Sequence, residues 1–246
     1  MDPGSAERRL LAQMPLHAIT TVHGEAGLRE RLAIEMAGFP RAGRDRAEQA
    51  LGLASRLHAH DRRQHEPYVS HLLRVAIRII SYYRVYDPDV ACAALLHDAV
   101  EDHASDLALG GGGHREALAV LAGRFGDRAA SLVAAVTNPA YRAGRDEREQ
   151  YQEHVAASLA ACPWARVIKA SDFTDNAAGL IHTTGPRLAR LAGKYAPLVP
   201  VLRELILRPD TPLDADVKSL IAGQLDIAAG RLAAIWHGPG PGMADG

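Results

Sequence analysis

His97 and Asp98 stand side by side at the end of an apolar run, Val90-Ala91-Cys92-Ala93-Ala94-Leu95-Leu96. A second acidic pair, Glu101 and Asp102, follows one helical turn later. An isolated ionised carboxylate is costly to remove from water, so a charge beside a buried face is normally paired or holds a metal. Two further apolar segments each carry a residue of ligand type: His71 in Val69-Ser70-His71-Leu72, and Asp172 after Val167-Ile168-Lys169-Ala170-Ser171. Two imidazoles and two carboxylates without a thiolate suit an octahedral, borderline-hard divalent ion such as Mn²⁺, Fe²⁺ or Mg²⁺, and suit structural zinc less well. Four protein ligands leave positions for water and a phosphate oxygen. An ion so held lowers the pKa of the water and polarises the phosphoryl group.

Helical spacing predicts the supporting groups. Glu101 lies four residues after His97, Asp102 four after Asp98 and Asn176 four after Asp172. Residues at that spacing share a helix face. A carboxylate one turn beyond a ligand can move a proton for the water or the leaving group. An amide at Asn176 both donates and accepts, which suits a sugar or a base. Taken singly, each signal has a bland reading. A His-Asp pair can be a helix-end hydrogen bond, a lone histidine is usually a core or cap residue, and Asp172 can pair with Lys169. Three apolar segments with ligand-type residues in register favour the metal.

The elements that position these groups read as helices. Alanine and leucine dominate and β-branched runs are scarce. The periodicity predicts helices over 44–60, from Pro67 through Ile80, from Asp87-Pro88 through the His-Asp pair, and over 115–124, 127–136, 146–161, 164–181, 186–207 and 214–235. Residues 1–43 read as an N-terminal extension of uncertain order. Residues 44–207 form the principal domain, 208–237 a helix packed on it, and 238–246 a disordered tail. The glycine run Gly110 to Gly113 reads as a surface loop, and its place after the acidic pair also suits a lid.

With 246 residues, 48% hydrophobic and 23% charged, the chain has the composition of a soluble globular protein. A formal net charge of −1 supplies no global attraction to nucleic acid or to an anionic membrane. Cys92 and Cys162 are far apart in apolar surroundings and read as reduced core residues. No signal or spanning segment is evident, so a cytoplasmic location is expected.

Four segments together resemble the HD phosphohydrolase superfamily, and within it the RelA/SpoT-type alarmone hydrolases. They are Arg62-Arg63-Gln64-His65-Glu66-Pro67-Tyr68-Val69-Ser70-His71, Ala93-Ala94-Leu95-Leu96-His97-Asp98-Ala99-Val100-Glu101-Asp102, Phe125-Gly126-Asp127 through Val136-Thr137, and Lys169-Ala170-Ser171-Asp172 with Asn176. They occur in the family's order and near its spacing. The resemblance implies an all-α HD-domain helical bundle around a central divalent metal. It implies His71, His97, Asp98 and Asp172 as ligands, usually of Mn²⁺, with Fe²⁺, Mg²⁺ or Zn²⁺ as alternatives. It implies Glu101 and Asp102 as the catalytic acidic pair, Arg62 as an arginine packed on the base, and Asn176 as a nucleoside contact. Tyr195, in Lys194-Tyr195-Ala196-Pro197, resembles a tyrosine lining the nucleotide pocket of the short, hydrolase-only members.

The activity implied is removal of the 3′-pyrophosphate from ppGpp or pppGpp, in a chain without a synthetase domain. The same metal site acting on another nucleotide, such as NADPH or a nucleoside monophosphate, is the alternative enzyme. A non-catalytic nucleotide sensor is the alternative of a different class. The partner expected is a small-molecule nucleotide, with no nucleic acid and no membrane, and the oligomeric state is left open. The sequence departs from the family's usual pattern in four places: Leu72 for proline, Phe173 for a basic residue, Asn138 for lysine, and Arg63-Gln64-His65 for a basic, serine- and glycine-containing stretch. None removes a ligand or the acidic pair, and all bear on which nucleotide is bound.

Overall fold

Alanine and leucine lose little freedom in a helix, and the described residues fold accordingly as a series of helices. The computed structural model describes residues 3–63, 66–108, 111–138, 141–179 and 192–236. Its helices are α1 (Pro3–Gln13), α2 (Leu16–Met36), α3 (Arg41–Leu57), α4 (Val69–Ile77), α5 (Pro88–Leu95) and α6 (Ala99–Leu107). They continue with α7 (His114–Phe125), α8 (Asp127–Val136), α9 (Glu147–Ala161), α10 (Pro163–Gly179), α11 (Leu198–Leu207) and α12 (Ala215–Trp236). Among the described residues the extended pairing is a single bridge between Arg62 and Pro67. The fold is all-α. No helix among these residues is long and apolar enough to cross a membrane.

The first forty-odd residues form two helices. Ile19, Leu28, Leu32 and Met36 of α2 enter the core, and α2 packs on α4. Gly24 breaks α2 with φ 61°. Arg31 is buried and anchors this region: its guanidinium donates to the carbonyls of Leu11 (2.5 Å) and Met14 (3.1 Å) and to Ser81 Oγ (3.0 Å).

The His-Asp segment begins as expected. Asp87 caps α5 by accepting from the backbone N–H groups of Asp89 and Val90, and Pro88 occupies the first turn, where no N–H is needed. Every residue of α5 from Val90 to Leu95 is buried, the pattern of a central helix. Gly43 lets α3 approach closely, because a Cβ there would lie 2.5 Å from Pro88 Cγ. α5 does not run through the His-Asp pair. It stops at Leu96 (φ −112°, ψ 7°), and α6 restarts with Asp98 as its cap residue. His97 therefore lies in a tight junction between two helices.

α3 starts earlier than the periodicity predicts and buries Leu53, while Leu51 and Leu57 stay partly exposed. α4 starts at Val69 and continues into a π-helical turn, Arg78–Tyr82. The predicted helix over 186–207 is seen as helical residues 192–195 and α11, which follows Pro197. Residues 186–191, Ile181, His182, Gly110 and the tail 238–246 lie outside the described residues.

Candidate metal centre

Three structural units converge. α4 supplies His71, the α5–α6 junction supplies His97 and Asp98, and α10 supplies Asp172. His97 Nε2 lies 3.0 Å from Asp98 Oδ2 and 3.7 Å from Asp172 Oδ1. His71 Nε2 lies 3.4 Å from Asp172 Oδ1 and 3.7 Å from Asp98 Oδ2. The donor atoms of His71, His97 and Asp98 all fall within 4.8 Å of one another.

Both imidazoles are fixed from behind. His71 Nδ1 is 2.8 Å from Asp175 Oδ2, and His97 Nδ1 is 2.9 Å from the carbonyl of Ala94. Each Nδ1–H donates to its acceptor, which leaves the Nε2 lone pair facing the carboxylates. An acceptor behind each ring is the arrangement that orients metal-ligating histidines. His97 Nε2 is buried and has no hydrogen-bond partner among the described residues. A buried ring nitrogen facing two carboxylates is a position that a proton takes in the bare cluster and a divalent cation can take in its place, so the donor set fits the cation.

The electrostatics of the bare cluster agree. Burial raises the Asp98 carboxyl, but the His97 charge beside it outweighs burial and holds it below the carboxylate range. Burial likewise raises Asp172, and Lys169, with Nζ 3.0 Å from Oδ2, pulls it well below its ordinary value. Burial lowers His97, but Asp98 and Asp172 carry it well above the usual imidazole value. A cation must displace that proton to bind.

The other expected residues fall at different distances from this centre. Asn176 sits one turn beyond Asp172 on α10, and its Nδ2 donates to Asp172 Oδ1 at 2.6 Å. The amide oxygen of Asn176 accepts from Arg63. Asp102 lies on α6 one turn beyond Asp98, with its amide N–H bonded to the Asp98 carbonyl at 2.9 Å. Partial burial, then the charges of Asp98 and Glu101, push the Asp102 carboxyl up to about 6. Glu101 is exposed and accepts from Asn138 Nδ2 at 2.7 Å. Tyr195 packs edge-on against Phe173, ring centroids 5.8 Å apart, and burial raises its hydroxyl pKa. Arg62 is exposed in the bridge with Pro67, and its neighbour Arg63 turns inward over the Tyr68 ring.

Residue types alone did not reveal the support around the ligands. Asp175 is buried and holds His71, Arg74 (2.9 Å) and Arg78 (3.0 Å) at once. Arg74 forks in turn onto both oxygens of Glu66 at 2.6 and 2.7 Å. Tyr68 donates its hydroxyl to Asp98 Oδ2 at 2.7 Å. The signal for Asp175 was a second acid one turn after Asp172 in an apolar segment. The signal for Tyr68 was its place in the Glu-Pro-Tyr triplet. Two of the departing positions are packing residues: Leu72 is fully buried, and Phe173 is buried against Tyr195.

The sequence profile of a family described as HD domain matches residues 50–183. A curated relative, guanosine-3′,5′-bis(diphosphate) 3′-pyrophosphohydrolase of Aquifex aeolicus (strain VF5), is 28% identical over 180 residues. That alignment takes in 71% of this chain and 24% of the relative, so the chain spans about a quarter of its length. A solved structure, described as a metazoan ortholog of SpoT that hydrolyzes ppGpp and plays a role in starvation responses, aligns with a TM-score of 0.58. The alignment covers 78% of this chain and 98% of that one at 24% identity, a likeness of fold.

Proposed function

Since the chain belongs to the HD domain family, we propose that it is a metal-dependent phosphohydrolase that removes the 3′-pyrophosphate from ppGpp and pppGpp. The observation that carries this reading is the convergence of two Nε2 lone pairs and two carboxylates, with an acceptor fixed behind each ring. The name of the Aquifex relative supplies the substrate class.

His71, His97, Asp98 and Asp172 would hold the cation, for which Mn²⁺ is our choice. The cation supplies Lewis acidity toward a phosphoryl oxygen and acidifies water at neutral pH. The remaining work falls to the chain. Asp102, with its carboxyl pushed up to about 6, is poised to accept a proton near neutral pH and return it to the leaving oxygen. Glu101, held by Asn138, flanks it and keeps that carboxyl's affinity for a proton high. Asn176 and Arg63 are linked to the ligand Asp172 and present amide and guanidinium donors next to the cation. Arg62, exposed beside Arg63, would cover a base from the solvent side, and Tyr195, packed on Phe173, would line the nucleotide pocket. We place the protein in the cytoplasm, consistent with two free cysteines, of which Cys92 is buried with its thiol pushed up to about 12.

A substrate panel tests the assignment. The Mn²⁺-loaded chain should turn over ppGpp in preference to NADPH and nucleoside monophosphates. Faster turnover of NADPH would move the assignment to the 2′-phosphate. Binding of ppGpp without product would make the protein a sensor.

A further inference from the structure

A second histidine–carboxylate cluster lies outside the centre described above. His58 closes the C-terminus of α3, Asp61 follows in the next loop, and His103 sits in α6 where the backbone leaves helical geometry (φ −133°, ψ 31°). His58 Nδ1 and His103 Nε2 both lie 2.7 Å from one atom, Asp61 Oδ2. The donor atoms of the three residues fall within 4.8 Å of one another. Behind His103, Nδ1 lies 3.1 Å from Asp106 Oδ2, the same outer carboxylate that Asp175 provides for His71. The His58 side chain is fully enclosed, His103 is 14% exposed and Asp61 36% exposed, so the cluster is closed on one side and open to water on the other.

One carboxylate oxygen accepts from two imidazoles through its two lone pairs, and His103 carries a proton on both nitrogens when it serves Asp61 and Asp106 together. A cation can replace the two inward protons, because His58 Nδ1, His103 Nε2 and Asp61 Oδ2 converge as three donors while Asp106 stays behind His103. We infer that His58, Asp61 and His103 form a second metal site, separate from the His71–His97–Asp98–Asp172 centre. Two imidazoles and one carboxylate with open water positions select a borderline dication of the zinc class. Burial holds the His58 imidazole below its ordinary value, whereas at His103 burial is outweighed by the hydrogen bonds to Asp61 and Asp106, which raise it, so a cation competes with a proton there.

The site is tied to the first centre by two short links. His103 directly follows Asp102 in the chain. The His58 ring stacks on Tyr68 with centroids 4.6 Å apart, and Tyr68 donates to Asp98. A cation here clamps the loop after α3 to the first turns of α6 and so fixes the backbone that carries the acidic pair. Its role toward the first centre is one of positioning.

Counting bound metal tests the inference. The full-length apo chain is dialysed to equilibrium against Zn²⁺, and Co²⁺ absorption reports the ligand geometry of each site. Wild type should bind two equivalents. Asp98→Ala should retain the second, and His103→Ala should retain the first while weakening the other by about a hundredfold or more. Asp61→Ala, in the loop, repeats the test if His103→Ala disturbs the helix, with circular dichroism as the check of folding. Wild type that binds a single equivalent, lost in Asp98→Ala and kept in His103→Ala, overturns the site. Unchanged binding of two equivalents in folded His103→Ala and Asp61→Ala does the same.

Discussion

The two clusters use the same residue types and differ in how each is held. In the first, both imidazoles are locked from behind, by Asp175 and by the Ala94 carbonyl, and their free nitrogens face two separate carboxylates. In the second, His103 alone has an outer acceptor, and a single oxygen of Asp61 serves both rings. The first is almost wholly buried, with His71 and His97 at 1% and 2% exposure, while Asp61 in the second stands at the surface. Orientation by an outer layer of hydrogen bonds raises ligand basicity and reduces the reorganisation that binding requires. The first centre is therefore prepared for its cation, and the second gathers its ligands on binding. The first should bind more tightly.

Removing a ligand should have the largest effect. Asp98→Ala should lower hydrolysis by about a thousandfold or more, because the Lewis acid is lost, measured as steady-state turnover. Loss of the outer carboxylate comes next. Asp175→Asn keeps the four ligands but frees the His71 ring, and should weaken the first cation by about 10–100-fold in a metal titration. The second site, which does not touch Asp175, should be unaffected.

Acid should act through Asp102. Its carboxyl is ionised, and able to take a proton, above its pKa of about 6, so kcat/KM should fall as pH drops through that value. A bound cation's positive charge favours ionisation and shifts the limb lower. Asp102→Asn should remove the limb together with most of the activity. Tyr68→Phe keeps the stack on His58 and removes the hydrogen bond to Asp98. A hydrogen bond to a charged group contributes about 1.5–3 kcal/mol, so this variant should cost about tenfold in metal affinity at the first centre and little at the second. Arg145→Ala breaks the exposed pair with Glu153 and should leave the midpoint of a denaturant titration unchanged.

The residues gathered at the first centre were legible because charged residues in apolar runs are expensive and therefore conspicuous. Helices α8 and α9 were legible from periodicity and caps, with Asp146 accepting from the N–H groups of Arg148 and Glu149. The break at Leu96 was not, since Ala-Ala-Leu-Leu-His-Asp-Ala-Val contains neither glycine nor proline. It is imposed by packing, which turns His97 toward α4 and α10. The helical spacing expected from His97 to Glu101 fails for that reason, while Asp98 to Asp102 and Asp172 to Asn176 share their helices. Arg62 carried the arginine signal, yet Arg63 is the residue that reaches Asn176, a matter of which side of a short bridge each faces. The link between His58 and His103 was not legible, because their common partner, Asp61, is 42 residues from His103 in sequence. The order of α1 and α2 rested on Leu28, Leu32 and Met36, a short stripe hidden among polar residues and glycines.

Release of inorganic pyrophosphate from ppGpp tests the central claim most directly. The chain reconstituted with Mn²⁺ should release it with multiple turnover, and the EDTA-stripped chain and Asp98→Ala should not. A folded, Mn²⁺-loaded chain that binds ppGpp and releases no pyrophosphate would contradict the account.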